Sequence, residues 1–480
     1  MKYILCLIAV FLISLSFTSA QVNPVGQMEI PIEENFSSFK IVPASEYGFV
    51  LYREKFDEEL MGNKTWEIFF HNKNLKALWN VSIETDYLFN AIDHVYSKGQ
   101  LYILYDGIKN FKRQLFVYQV DLENRNTSKI SFETFMPDLV NYFSCFNNSL
   151  IIGGMEQSKP AIVFYDLLKN RSVVLSGLFH KRSGILDIDI DRENQIFTVL
   201  TSYKGVDGMS GVKLNSFDEF GTSVEDLRIV TGKNSDILNA DALIINQDTR
   251  IVANIYKHIR ESTDTGLFLK GFPLQGTEKE VYYSFEYLYN KLDSIHLIEF
   301  DAGPEEFSYL SDAGKFNWEI ADMHEFGHDN IILLESWISQ KVSISPLQSK
   351  VLHEYKKGLI ICVDDNLKIK WVNDMDLQNV VSDKPKKFIH IVPQDDYLRL
   401  YFFDRNLLYE QKIRNSETIQ PSTPLELLHN RVRKNLVVNY DNHAASFDHW
   451  FEDYFLFSGL KSFGDSSNQE IFFVEKVEYR

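Results

Sequence analysis

One segment of the sequence has residue types and spacing that could carry out catalysis. His324, Glu325 and His328 follow the order H-E-x-x-H. On a helix, this spacing brings both imidazoles to one face, where they can bind Zn²⁺ while the glutamate activates a water molecule. Zinc-dependent hydrolysis, with Glu325 as the catalytic base, is therefore one hypothesis for this chain.

The residues around this segment favour a different interpretation. The segment resembles the zincin metalloprotease signature, but its neighbours alternate between apolar and polar in the manner of a strand. Trp318, Ile320 and Phe326 share this alternation with His324. We therefore favour a strand and a turn at this position, with His324 and His328 as zinc ligands only in the alternative interpretation.

A second candidate site consists of three aspartates on a single predicted strand. Asp187, Asp189 and Asp191 alternate with Ile188 and Ile190, so the carboxyls share one face. Aligned carboxylates repel each other unless a cation or hydrogen-bond donors compensate. We favour compensation by turn and water hydrogen bonds, with binding of Ca²⁺ or another ligand as the alternative.

The elements that must position these residues are short strands. A strand, a polar turn and a more apolar strand recur along the chain, whereas long helical periodicity is nearly absent. This hairpin pattern occurs at Phe39–Tyr52, Ala91–Tyr105, Val140–Gly154, Ile185–Leu200, Ala240–Ile255, Ile320–Glu335, Phe388–Phe403 and Phe447–Gly459.

A second hairpin usually follows the first. Two hairpins form a four-stranded unit of roughly 45–60 residues, the size of one blade of a β-propeller. Eight units predict an all-β chain folded as a single propeller of eight four-stranded blades. Seven blades are the alternative, because Tyr287–Asn317 is unusually long and Asn406–Asp441 is irregular.

The two ends of the chain are predicted to share one sheet. Glu470–Arg480 supplies a third strand to the last unit, and Gln27–Ile32 is a spare strand before the first. If the spare strand completes the last blade, it covers an otherwise open sheet edge.

One unit resembles a known class of propeller. Ile185–Leu200, in which aspartates alternate with apolar residues before a turn, is similar to the inner hairpin of NHL and TolB-like propellers. The resemblance implies the propeller fold and transfers no functional residue.

The N-terminus has the pattern of an export signal. One basic residue, Lys2, precedes the apolar run Ile4–Phe17, and small residues then end at Ala20. This pattern predicts a signal peptide at residues 1–20 and a propeller domain at residues 21–480, secreted or periplasmic. No later apolar run is long enough to predict a membrane span in the mature chain.

Composition narrows the range of partners. The chain has 49 Lys+Arg and 67 Asp+Glu, so loss of Lys2 with the signal leaves 48 against 67, a net charge of −19. Such a surface repels phosphate backbones, and we expect no nucleic-acid partner.

Together these patterns predict an exported, monomeric binding protein for a protein, peptide or glycan, with no cofactor. The alternative is an extracellular hydrolase, on the propeller scaffold or zinc-dependent through His324 and His328. Fold alone does not choose between these two functions.

Overall fold

The structure is a computed structural model that describes most of residues 23–478. The residues outside the description are 1–22, 57–62, 110, 133–136, 176–177, 179–182, 193, 206, 234, 246–247, 259–264, 273–276, 297–315, 346–347, 378–379, 383–385, 395, 405–406, 426, 428–437, 464–469 and 479–480. The predicted signal peptide therefore lies outside the described residues.

The chain forms eight antiparallel sheets that follow one another as the blades of a β-propeller. Blade 1 contains β2 (Lys40–Pro43), β3 (Phe49–Lys55), β4 (Asn63–His71) and β5 (Ala77–Asp86), and a 3-10 turn at Ser45–Tyr47 joins β2 to β3. Blade 2 contains β6 (Phe89–Ser97), β7 (Gln100–Lys109), β8 (Lys112–Asp121) and β9 (Thr127–Ser131). Blade 3 contains β10 (Leu139–Phe146), β11 (Ser149–Glu156), β12 (Lys159–Asp166) and β13 (Arg171–Val174).

The next three blades repeat the same order of strands. Blade 4 contains β14 (Ile185–Asp191), β15 (Ile196–Lys204), β16 (Met209–Asp218) and β17 (Ser223–Lys233). Blade 5 contains β18 (Ser235–Ile245), β19 (Asp248–His258), β20 (Thr265–Gly271) and β21 (Lys279–Ser284). Blade 6 contains β22 (Asn317–Phe326), β23 (Asp329–Ser345), β24 (Gln348–Val363) and β25 (Ile369–Asp376), and a short β26 (Val381–Ser382) pairs with β24.

The last two blades complete the fold. Blade 7 contains β27 (His390–Pro393), β28 (Leu398–Asp404), β29 (Leu407–Arg414) and β30 (Glu417–Pro424). Blade 8 contains β31 (Val438–Phe451), β32 (Tyr454–Phe463), β33 (Glu470–Glu478) and the N-terminal strand β1 (Asn23–Pro31). The predicted eight four-stranded blades are confirmed, and the alternative of seven is wrong.

The predicted closure of the last blade is also confirmed. β1 pairs antiparallel with β33, with Met28 opposite Val474 and Ile30 opposite Phe472. The main chain of the N-terminal strand therefore satisfies hydrogen-bonding groups on β33 that would otherwise form an open edge.

One helix, α1 (Phe285–His296), lies in the unusually long connection between blades 5 and 6. The sequence reasoning did not predict it. Among the described residues, no helix is long and apolar enough to cross a membrane.

The chain divides into two compact units. Unit 1 consists mainly of blades 1 and 8, and unit 2 of blades 2 to 7. In unit 1, Phe39 and Leu51 of blade 1 pack with Trp450 and Phe472 of blade 8.

In unit 2, successive blades pack face to face. Leu104 and Val117 of blade 2 share a core with Leu150 and Val163 of blade 3, and similar cores lie between later blades up to blade 6. The middle strands are covered on both faces, which is why they read as nearly continuous runs of apolar residues.

Candidate functional site

The first strand of each blade lies next to the central channel in a propeller. In blades 2 to 6 this strand carries a β-bulge at an equivalent position, immediately before a polar or aromatic residue. Those residues are Asp93, Tyr142, Asp187, Asn239 and Asp322. A bulge changes the direction of the side chains beside it, so these five residues occupy equivalent positions on their inner strands.

Several inner-strand aspartates bond to the main chain next to them. One carboxylate oxygen accepts the backbone N–H of the following residue, at 2.8 Å from Asp189 to Ile190 and 2.7 Å from Asp241 to Ala242. Asp322 does the same with Met323 at 2.9 Å. This bond fixes the side-chain rotamer and leaves the second oxygen outside the hydrogen bonding of the strand.

Five acidic side chains on the inner strands of blades 4, 5 and 6 interact electrostatically with one lysine. We call this group the inner charge cluster, and it consists of Asp187, Asp189, Asp241, Glu319, Asp322 and Lys387. All six lie in unit 2. When all are ionised, five negative charges face one positive charge.

The cluster shifts the acidities of its own members. Burial raises the pKa of Asp241 to about 7, with Asp187 and Asp189 adding to the rise and Lys387 opposing it. Burial likewise raises the pKa of Glu319 to about 7, against the opposing charge of Lys387. Burial also raises the pKa values of Asp187 and Asp189. In these four carboxyls burial outweighs the opposing charge of Lys387, and in this sense the cluster is undercompensated.

Asp322 behaves differently because it has a partner. Burial alone would raise its pKa, but the hydrogen bond and charge of His324 hold the pKa below its usual value. Nε2 of His324 lies 2.9 Å from Oδ2 of Asp322. His324 therefore joins the edge of the cluster through Asp322.

Lys387 stands on a short segment that is anchored on both sides. The hydroxyl of Tyr355 accepts the backbone N–H of Lys386 at 2.8 Å and donates to the carbonyl of the same residue at 2.7 Å. The carboxyl of Glu335 accepts the N–H groups of Phe388 at 3.0 Å and Ile389 at 2.7 Å. Glu335 and Tyr355 are 0% exposed, whereas the side chain of Lys387 is open to solvent.

The structure separates the three aspartates predicted as a site. Asp187 and Asp189 belong to the inner charge cluster. Asp191 instead caps the β14–β15 turn, accepting the backbone N–H of Asn194 at 2.9 Å and its side-chain amide at 2.6 Å. We expected hydrogen bonds of a turn to compensate these carboxyls, and Asp191 makes such bonds.

The H-E-x-x-H segment forms the end of β22 and the turn that follows. His324 lies opposite Ile331 in the ladder, Glu325 lies opposite Asn330, and His328 is exposed in the turn. A strand and turn do not form the helical face on which this spacing brings two imidazoles together. Among the described residues, no three His, Cys, Asp or Glu side chains are grouped so that they could hold a metal ion.

Sequence reasoning missed Asp241, Glu319, Lys387 and the anchoring residue Glu335. A signal for two of the aspartates was present. Counted from the bulge, Asp322 occupies the same place as Asp187, and Asp241 occupies the same place as Asp189. Aligning the repeats by these positions would have found the aspartates of the cluster on blades 4 to 6. Lys387 ends the basic run Lys384-Pro385-Lys386-Lys387, a pattern more typical of a solvated loop between blades than of a binding site.

A groove on the outer strands of blades 4 and 5 offers a weaker site. It has a volume of about 430 Å³ and is lined by Arg228, Lys270, Glu278 and Tyr282, among others. Lys270 is paired with Glu278 at 3.0 Å and with Glu280 at 3.4 Å. Its lysine is thus compensated within the protein, unlike the acids of the inner charge cluster.

No protein-family model matches the chain, and no curated protein matches it in sequence. Solved structures with a similar fold include the polysaccharide lyase Uly1, at 8% identity over 80% of this chain and 89% of that chain, with a TM-score of 0.40. The β-propeller domain of the Trilobed protease from Pyrococcus furiosus is 10% identical over 82% of this chain and 95% of that chain, with a TM-score of 0.36. The Dos1 propeller is 9% identical over 79% of this chain and 93% of that chain, also with a TM-score of 0.36. Likenesses at this level carry no argument about function.

Proposed function

We propose that this chain is an exported binding protein that holds a positively charged group of a peptide or protein in its inner charge cluster. The observation that carries the proposal is that five acids from three consecutive inner strands interact electrostatically with the single ammonium of Lys387. An amine or guanidinium supplies the charge that the cluster lacks and donates hydrogen bonds to several carboxylates at once.

The acidities of the cluster support a binding role. Burial raises the pKa values of Asp241 and Glu319 to about 7, so both carboxyls titrate near neutral pH. A bound cation favours the ionised carboxylates, so binding releases protons and strengthens as the pH rises through 7. The net charge of −18 of the whole chain also draws cationic ligands toward the protein.

Export is the second part of the proposal. Residues 1–20 support export, because they contain a basic residue, an apolar run and small residues that end at a predicted cleavage site after Ala20. Protein recovered from outside the producing cells should begin at Gln21 when its N-terminus is sequenced. Intracellular protein that begins at Met1 would overturn this part.

Calorimetric titration of the purified mature protein tests binding. The probes are spermidine, L-lysine and Gly-Gly-Lys, each at pH 6 and pH 8. We expect at least one probe to bind, and to bind more tightly at pH 8. A variant with Asp187→Asn, Asp241→Asn and Glu319→Gln should then bind at least tenfold more weakly, which corresponds to about 1.4 kcal/mol.

Asp365→Asn is the matched control. Asp365 is exposed in the turn between β24 and β25, and the same chemical change there should leave binding unchanged. Absence of binding by all three probes, or equal binding by the triple variant and the control, would overturn the proposed function.

A further inference from the structure

Lys387, the basic residue of the inner charge cluster, has no direct carboxylate partner among the described residues. The charge of Lys387 acts on all five carboxyls of the cluster, yet no ion pair joins it to a carboxylate of the described residues. Its ammonium therefore lies near the acids without being neutralised by direct contact with any one of them. A ligand can approach both kinds of charge.

The main chain on either side of Lys387 is held by fully buried groups. Tyr355 holds Lys386 through both its N–H and its carbonyl, and Glu335 holds the N–H groups of Phe388 and Ile389. Phe388 also packs edge-on against Tyr355, with ring centroids 4.5 Å apart. The backbone of Lys387 is thus fixed while its side chain remains open to solvent.

Burying a carboxyl in order to hold a short connecting segment is costly. Glu335 lies beside a second acid, Glu319, which is its partner in the β22–β23 ladder. Burial raises the pKa of Glu335 to about 8, which favours its neutral form over the carboxylate. Its contacts therefore position the lysine-bearing segment, and Lys387 is the one basic residue among the six that define the cluster.

We propose that the inner charge cluster is a site for a zwitterion, in which the acids of β14, β18 and β22 hold an ammonium or guanidinium group and Lys387 holds a carboxylate of the same ligand. The ligand class is a free amino acid or the charged terminus of a peptide. This inference rests on the proposed function, because it assigns the anionic end of a ligand whose cationic end the acids bind.

Electrostatics gives the site its selectivity. A ligand with only positive charge is attracted by the acids but repelled by Lys387, whose backbone is anchored beside them. A ligand that also carries a carboxylate replaces that repulsion with a charge-assisted hydrogen bond. Lys387 therefore discriminates between an acid and its amide by attraction and by repulsion.

Titration with matched pairs of probes tests the inference. The pairs are L-lysine with L-lysinamide, and Gly-Gly-Lys with its C-terminal amide, all at pH 7. We expect each acid to bind at least tenfold more tightly than its amide. The Lys387→Gln variant should bind the carboxylate probes more weakly and their amides more tightly than the wild type does, so that the preference disappears. Lys387→Arg should keep the preference.

A misfolded variant would lose affinity for every probe. Tighter binding of the amides by Lys387→Gln than by the wild type therefore cannot result from damaged folding. The inference would be overturned if the amides bound the wild type as tightly as the carboxylate probes did. If those amides also lost affinity in the triple variant Asp187→Asn, Asp241→Asn and Glu319→Gln, the proposed function would still stand. Absence of binding by every probe would overturn both.

Discussion

Asp241 shows at the scale of one residue how a binding site weakens the fold that contains it. Its carboxyl bonds to the N–H of Ala242, but burial and the charges of Asp187 and Asp189 oppose its ionisation. The folded state therefore binds this proton more tightly than the unfolded state does. Such a group costs stability wherever it must ionise, which is typical of a residue kept for function.

The sign of this effect gives a prediction for Asp241→Asn. Between pH 4 and pH 7 the folded wild type retains a proton that the unfolded chain releases, so its stability falls as the pH rises. Asparagine does not titrate, and the variant escapes this loss. Denaturant unfolding should show equal stability at pH 4 and a variant more stable by about 1–3 kcal/mol at pH 8.

The matched substitution Asp365→Asn should change stability equally little at both pH values. A variant of Asp241 that is less stable than the wild type at pH 8 would show that the carboxylate stabilises the fold. It would also contradict the conclusion that burial outweighs the compensating charge of Lys387 at Asp241.

Glu335 leads to the opposite expectation when its acceptor atoms are removed. Glu335→Ala leaves the buried N–H groups of Phe388 and Ile389 without an acceptor and should cost about 2–4 kcal/mol at pH 7. Glu335→Gln retains a carbonyl acceptor and resembles the protonated acid, so it should stay within about 1 kcal/mol of the wild type. Thermal and denaturant unfolding of both variants check this, and equal losses in the two would contradict the positioning role.

At the scale of elements, helix α1 shows why an unusually long connection is tolerated between blades 5 and 6. The hydroxyl of Ser284 accepts the N–H of Tyr287 at 3.1 Å and caps the first turn. Phe285, Leu288 and Leu292 form the apolar stripe expected of a surface helix. Phe285 stacks on Trp318 with ring centroids 4.5 Å apart, so the helix extends the core of blade 6.

This packing predicts that Leu288→Ala destabilises the fold by about 2–4 kcal/mol, through lost burial and the cavity that remains. Asn290→Ala, at an exposed position of the same helix, is the control and should have almost no effect. Unfolding by denaturant measures both. A loss below 1 kcal/mol for Leu288→Ala would mean that α1 contributes little to the core.

At the scale of the whole molecule, the N-terminal strand completes the last blade. β1 pairs with β33 along nearly its full length, and Lys461 of β32 forms an ion pair with Glu29 of β1. Blade 8 is thus built from the two ends of the described chain, which makes its formation depend on contacts of very large sequence separation.

A truncated mature chain that begins at Ile32 tests this closure. It lacks β1, so the edge of β33 loses its hydrogen-bond partners and becomes a template for association with other chains. We expect a lower unfolding temperature and aggregates that are visible by light scattering. A chain that begins at Asn23 keeps the strand and should match the full mature protein, and equal behaviour of the two truncations would contradict the closure.

Much of the architecture follows from local patterns. Apolar alternation and turn residues predict each hairpin because strand period and turn chemistry are properties of a few adjacent residues. Helix α1 escaped prediction because its stripe spans only about two turns and lies among aromatic residues that also suit strands. The same local alternation correctly favoured a strand over a zinc-binding helix at His324.

The sequence by itself predicted eight blades, with seven as the alternative, and the strand at each inner position. It also singled out Asp187 and Asp189 as a candidate ligand site. Only the tertiary structure decided that Asp241, Glu319 and Lys387 join them and that Asp191 turns away to cap a hairpin. The physical reason is that charge interactions depend on distance in space, and repeated blades bring together side chains that lie 50 or more residues apart, beyond the reach of local sequence patterns.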